Sequence, residues 1–302
     1  ATPDARGAAM SAQALALVLL AGLVHAGWNI VAKQSGGDAR FAFFTSVLMA
    51  LAWAPLGLWL GWRALPHWGA AAWACVAASG VLHVLYYVTL LRGYRVAELT
   101  VVYPLARGSG PLLSSLVAVT LLGERLSALA VAGIGAVVLG VFLIAGGPRL
   151  LRRRDSPAAR QRVRQGLRYG LLTGAWIASY TMVDGYAVRW LALSPILVDY
   201  MGNWVRIALL LPVALRDRAA TARLWRGQWR AALVVALCSP VAYVLVLYAM
   251  QQAPLSLVAP AREVSMLFAA LIGGHLLGEG DRLVRIGGAL CIAAGVMALG
   301  LG

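Results

Sequence analysis

Apolar residues run along this chain in long blocks, broken by short polar, glycine- or arginine-bearing stretches. Ten such blocks fill it, at 12–33, 40–62, 68–91, 97–122, 127–146, 166–189, 194–215, 229–250, 254–277 and 283–301. Each is close to the roughly 20 residues with which an α-helix crosses the hydrocarbon of a bilayer. The pattern therefore predicts an all-α membrane protein of ten transmembrane helices. Most connections are short, so consecutive helices are expected to pack as antiparallel neighbours. The exception is the basic stretch 147–165, which separates five blocks from five.

The two groups of five are related. A shift of 155 residues carries Ala106-Arg107 onto Ala261-Arg262 and Leu121-Leu122-Gly123-Glu124 onto Leu276-Leu277-Gly278-Glu279. It also carries Gly133 onto Gly288 and Gly140 onto Gly295, while Pro104 and Pro260 come within one position of matching. Because five is odd, the second group must enter the membrane in the opposite sense. The organisation predicted is a first repeat at 12–146, a basic cytoplasmic linker at 147–165 and a second, inverted repeat at 166–301, arranged around a central cavity.

Composition strengthens this picture. Hydrophobic residues make up 61% of the 302 and charged residues 12%, against about 25% charged in soluble domains. Cys75, Cys238 and Cys291 stand singly in apolar runs, which argues against a disulfide framework or a metal site. The net charge of +15 reflects topology rather than a nucleic-acid partner. Apart from Arg107, Arg206 and Arg262 inside apolar blocks, alternate connections carry nearly all the basic residues, leaving only Arg6, Arg63, Arg125 and Arg189 on the other side. The positive-inside rule places the basic connections in the cytoplasm and both termini outside, in a multi-pass inner-membrane protein. Residues 1–30 resemble a signal peptide in Arg6 and the run 14–24, but the block continues to Lys33 and is read as a retained span.

Ionisable and polar groups within a span are costly unless paired or facing water, so their positions nominate a site. Helical spacing sorts them into stripes. The first block carries His25, Trp28 and Asn29. The third has Ser79, His83, Tyr86 and Tyr87, and the fourth Thr100, Tyr103, Arg107 and Ser114. The sixth carries Trp176, Ser179, Tyr180 and Asp184, and the seventh Asp199, Tyr200, Asn203, Trp204 and Arg206. The eighth adds Ser239 and Tyr243, the ninth Arg262 and Glu263. From these we nominate as substrate-binding His25, Trp28, Asn29, Ser79, His83, Tyr86, Tyr87, Tyr103, Arg107, Trp176, Tyr180, Asp184, Tyr243, Arg262 and Glu263. Aromatic faces suit a flat or apolar group, and arginine a carboxylate. A proline removes a backbone donor and bends a helix, so Pro104, Pro260, Gly108 and Gly110 are nominated as hinges.

Plainer readings compete. Arg107 and Arg262 are also read as structural ions pairing with Glu263, Asp199 or Asp184, and Asp199 with Arg206 as a self-satisfying pair through Asn203. Trp62, Trp68, Trp190, Trp225 and Trp229 read as interfacial belt residues, and His275 as packed or interfacial. The small-residue rows Ala132, Ala136, Gly140 and Ala289, Ala293 favour packing within one chain over a dimer face. A monomer is therefore expected, with a dimer as the alternative.

Three features together, His25–Lys33 (H-A-G-W-N-I-V-A-K), Tyr103–Pro111 (Y-P-L-A-R-G-S-G-P) and the repeated L-L-G-E, resemble the drug/metabolite transporter superfamily in its ten-helix, EamA-type branch, over essentially the whole chain. The resemblance implies a basket-like inverted repeat around a substrate cavity, working by alternating access. It implies no cofactor. The tyrosine- and tryptophan-rich stripes look most like bacterial exporters of aromatic and other neutral amino acids. Val258-Ala259-Pro260 stands where the first half has Tyr103-Pro104-Leu105, so the halves are expected to contribute unequally.

The function expected is secondary export of small metabolites, amino acids including aromatic ones foremost, with the bilayer as surroundings and a small molecule as partner. A transporter of cationic drugs or another metabolite is the alternative, with Asp184, Asp199 and Glu263 as cation sites. A non-transporting scaffold or membrane enzyme is the remote one. No HExxH, GxSxG, Walker lysine or CxxC is present, so no enzyme is expected, and with no ATP-binding domain any active transport would be secondary.

Overall fold

The computed structural model describes residues 10–35, 38–97, 99–145, 156–272 and 282–301. The second L-L-G-E, His275 and the first part of the linker lie outside the described residues. Within them the chain is helical: α1 (Ala12–Gln34), α2 (Ala39–Ala52), α3 (Ala54–Ala64), α4 (Ala70–Val96), α5 (Leu99–Leu121), α6 (Ala128–Ile144), α7 (Pro157–Arg189), α8 (Pro195–Arg216), α9 (Arg218–Gln252), α10 (Leu255–Ala261), α11 (Val264–Ile272) and α12 (Arg282–Leu301). Among the described residues, six helical segments are long and apolar enough to span a membrane, and the α2–α3 pair makes a seventh if counted as one bent span.

Chain chemistry explains where these helices differ from the apolar blocks. The second block is bent by 67° between α2 and α3, because Pro55 cannot continue the ladder through Trp53. The Trp53 indole pins the bend by donating to the Ala236 carbonyl oxygen at 3.3 Å. The helix of the sixth block begins nine residues early, at Pro157, a residue whose fixed φ suits the first helical turn. That of the eighth starts at Arg218, where the Asp217 carboxylate caps Ala220 N–H at 2.9 Å. Much of each basic connection is therefore helix rather than loop.

The ninth block is broken into α10 and α11. Pro260 has no N–H to offer the Ser256 carbonyl one turn back. That oxygen instead accepts the Ser115 hydroxyl of α5 at 2.9 Å. Beyond the proline the chain tightens, with Glu263 N–H bonding the Pro260 carbonyl at 3.0 Å and Ser265 N–H the Arg262 carbonyl at 3.2 Å. In the first half, α5 runs unbroken through Pro104 and Pro111. A hinge nominated at Pro104, Gly108 and Gly110 is thus not a break in this conformation, whereas one beside Pro260 is.

Packing reflects the repeat. α6 lies along α12, where a methyl added at Gly133 would come within 2.9 Å of the Gly295 carbonyl oxygen, and one at Gly288 within 2.9 Å of Gly140's. Gly133 corresponds to Gly288 and Gly140 to Gly295, so the two contacts exchange when the halves are exchanged. As Gly133 meets the later glycine of α12 and Gly140 the earlier, equivalent helices run antiparallel, which is what inversion requires. The close row is Gly133, Val137 and Gly140 against Gly288, Ile292 and Gly295; it shares Gly140 with the expected row, whose Ala132 is exposed. Exchange of halves also relates the packing of α1 on α9 to that of α4 on α7, and α5 on α7 to α1 on α11.

Polarity is inside out relative to a water-soluble protein. Leu20, Leu51, Leu58, Trp59, Trp62, Leu116, Leu290 and Met297 are exposed, while Thr173, Thr181, Asp184, Asp199, Asn203, Ser256 and Glu263 are buried. Hydrocarbon is the only solvent that makes such a surface favourable.

Candidate functional site

α5 presents Tyr103 and Arg107 one turn apart, and the break between α10 and α11 presents Arg262 and Glu263 opposite them. Arg107 Nη2 lies 2.9 Å from Glu263 Oε2 and donates to Ser265 Oγ at 3.3 Å. Arg262 Nε stands 3.7 Å from the other carboxylate oxygen, Oε1. Two guanidinium groups therefore share one carboxylate, itself only 1% exposed. The arginines keep 14% and 12% of their side-chain surface accessible. The trio carries one positive charge more than it neutralises internally, and Arg107 Nε is buried without a partner.

An aromatic wall adjoins it. Arg262 Nη2 donates to the Tyr180 hydroxyl at 3.1 Å, with its guanidinium carbon 5.7 Å from that ring's centre. Tyr180 stacks on His83 with centroids 4.1 Å apart and meets Tyr86 edge-on at 5.9 Å. His83 meets Tyr243 edge-on at 5.4 Å. His83 Nδ1 lies 2.8 Å from the Ser79 carbonyl oxygen. A carbonyl only accepts, so Nδ1 carries the proton and Nε2 is left as an acceptor. Tyr243 donates its hydroxyl to Asp184 Oδ2.

α1 supplies His25, within electrostatic range of Arg107 and Arg262. Its ring packs edge-on to Trp28 at 4.7 Å, and its Nε2 lies 3.4 Å from Asn29 Nδ2. The Trp28 and Trp176 indole N–H groups are buried without partners. His25, Trp28, Asn29, His83, Tyr86, Tyr103, Trp176 and Tyr243 are all half-buried.

The nominated residues thus fall into groups. Arg107, Arg262, Glu263, Tyr180, His83, Tyr86 and Tyr243 are joined by direct contacts, with His25 near the arginines. Asp184 and Ser79 sit at the far side of the aromatic wall. Tyr87 stands apart, donating to the Asp38 carbonyl at 3.1 Å near the start of α2. Trp28 packs towards Phe41 and Val235 rather than the aromatic wall. Asp199 and Arg206 pair directly at 2.7 Å, and Asn203 donates elsewhere, to the Ser46 carbonyl at 2.8 Å. The pairing expected by the plainer reading is present but direct, without Asn203 between, and it leaves Arg206 Nε unpartnered. An open apolar groove between α2, α8 and α9, with Phe43, Leu48 and Trp225 on its walls, lies away from all of these groups.

One polar residue gains a role that its motif alone did not convey. Glu124, the acid of the first L-L-G-E, accepts the Leu255 and Ser256 N–H groups at 2.9 Å each. It caps α10 from the opposite half, across 131 residues of chain. Nothing local to Leu121–Glu124 signals this contact. The faint signal is Pro254, which starts a helix without a capping side chain of its own.

Among solved structures, 29 chains match this one. One of them, titled "Crystal structure of protein", superposes with a TM-score of 0.70 over 95% of this chain and 96% of its own, at 16% identity. At that identity the likeness is one of fold. No curated protein matches. A family model described as the EamA-like transporter family matches residues 12–146 and again 164–301.

Proposed function

Because the chain belongs to the EamA-like transporter family, a membrane transporter family of small metabolites, we propose that its substrates are small carboxylate-bearing metabolites, amino acids with aromatic or other apolar side chains foremost. The observation that carries this reading is the sharing of Glu263 between Arg107 and Arg262. One positive charge and a buried, unpartnered Arg107 Nε remain for an incoming carboxylate. Tyr103, Tyr86, Tyr180 and His83 would take the apolar part by stacking, and the unpartnered Trp176 N–H would be a spare donor. Two five-helix halves would rock about this site by alternating access, with the helix break beside Pro260 as the more mobile seam. The protein would act as an inner-membrane monomer with both termini periplasmic and its basic connections cytoplasmic.

Cationic substrates remain the second reading, favoured by the enclosed Asp184 carboxylate. A screen in proteoliposomes separates the two. Labelled neutral and aromatic amino acids should move, organic cations should not, and Tyr103→Ala should weaken uptake of aromatic substrates more than of small ones. Movement of cations alone would replace the first reading with the second.

A further inference from the structure

Asp184 has an imbalance opposite in sign to that of the arginine trio. It is wholly buried. Oδ2 accepts the Tyr243 hydroxyl, while Oδ1 has no hydrogen-bond partner. Among the described residues no arginine, lysine or histidine forms an ion pair with it, the arginines inside the spans being engaged with Glu263 and Asp199. A lone carboxylate inside a span costs several kcal/mol, so a positive charge must reach it from elsewhere.

Every element packed against Asp184 can be asked for that charge. α4 faces it with Ser79 and Cys75, and with His83 one turn further on. α9 faces it with Tyr243, and α8 with Asp199 and Arg206. α5 and α10 present no charged group to it among the interactions described, and Leu255 of α10 packs against the adjacent Gly185. Arg206 pairs with Asp199, and its remaining Nε, though unpartnered, makes no hydrogen bond to Asp184. His83 has its Nδ1 proton on the Ser79 carbonyl and its ring face on Tyr180. A metal cation would need about six oxygen ligands, whereas the carboxyl, one phenol and one serine hydroxyl supply too few. No cluster of metal-ligating side chains exists among the described residues. In this conformation Asp184 has no accessible surface to offer an organic cation.

The geometry points to Asp184 as a proton-binding site, which takes up and releases one proton in each transport cycle and so couples substrate movement to a proton gradient. The proton adds to Oδ1 when the site is open to one side and leaves when it is open to the other, so no bond but O–H is made or broken. Tyr243 and Tyr180 are the positioning residues. Tyr243 holds the carboxyl and meets the ring of Tyr180 at 6.4 Å, whose hydroxyl receives Arg262. A carboxylate arriving at the arginines and a proton at Asp184 therefore pull on one aromatic stack from opposite ends. This rests on the transporter reading but not on the identity of the substrate.

The test uses infrared difference spectra of the full-length protein in membranes, between acid and alkaline conditions, with proton flux measured in the same proteoliposomes. The wild type should gain a carboxylic C=O band on acidification that Asp184→Asn loses and Asp199→Asn keeps. Tyr243→Phe should shift the band, giving a readout that does not depend on removing the carboxyl. Addition of labelled amino acids should drive a counter-movement of protons in the wild type, lost in Asp184→Asn. An Asp184→Asn spectrum identical to wild type, or substrate movement without protons in both, overturns the inference. If the band behaves as expected but no amino acid moves, the proton site stands and the substrate class falls.

Discussion

Glu263 is the residue on which the interior charge balance turns. It is 1% exposed and touches both Arg107 and Arg262. Removing one partner of a buried ion pair costs about 3–5 kcal/mol, because the remaining charge is left uncompensated. Glu263→Gln leaves two guanidinium groups in that state and should lower the thermal midpoint markedly. Arg107→Gln, which leaves Arg262 to pair with Glu263, should lower it less while still removing the carboxylate-facing donor. Melting curves of the three proteins in one detergent check the order. Asp199 and Arg206, two turns apart on α8, make the contrasting case. Their pairing follows from helical spacing alone and was legible in the sequence, whereas the meeting of Arg107 with Glu263 spans the two halves and needed the fold.

At the scale of the element, α6 against α12 and Glu124 against α10 are two of the contacts that join the halves. Gly295→Leu would drive a side chain into the Gly133 carbonyl, and helix axes would have to separate. We expect this variant to lose folded yield in size-exclusion profiles, while Gly135→Leu, at a position with open space around it, should not. Glu124→Ala removes two hydrogen bonds to a charged acceptor, each worth about 1.5–3 kcal/mol, and should destabilise the α10 entry, read as faster backbone exchange at Leu255 and Ser256. The ten apolar blocks, the repeat and the glycines of α6 and α12 could be read from hydropathy and a fixed offset. The helix starts at Pro157 and Arg218 do not stand out in hydropathy, because charge masks the capping signals at Pro157 and Asp217. The bend at Trp53 does not either, because Pro55 lies within an unbroken apolar block. Gly140 of the expected small-residue row lies in the close contact while Ala132 is exposed, since alanine spacing does not reveal which side of a helix meets a partner.

For the whole molecule, side-chain bonds tie both ends of the bundle, with Gln228 donating to the Ser35 carbonyl at 2.8 Å and Arg40 lying 3.8 Å from Asp217 at one of them. Glu124 with Leu255 and Ser256, Arg189 with the Ala253 carbonyl, and Gln251 with the Val188 carbonyl tie the connections after α5, α7 and α9 together. From the charge-based topology we propose that the end tied by Glu124, Arg189 and Gln251 is the periplasmic one. A cysteine placed at Arg125 should react with an impermeant reagent from the periplasm, and one at Arg226 only after permeabilisation. Initial rates of labelled neutral amino acid uptake into proteoliposomes, wild type against Arg107→Gln, test most directly the proposal that the arginine pair sharing Glu263 receives the substrate's carboxylate. We expect saturable uptake in the wild type and its loss in a variant that still folds. Equal rates in the two proteins would contradict it.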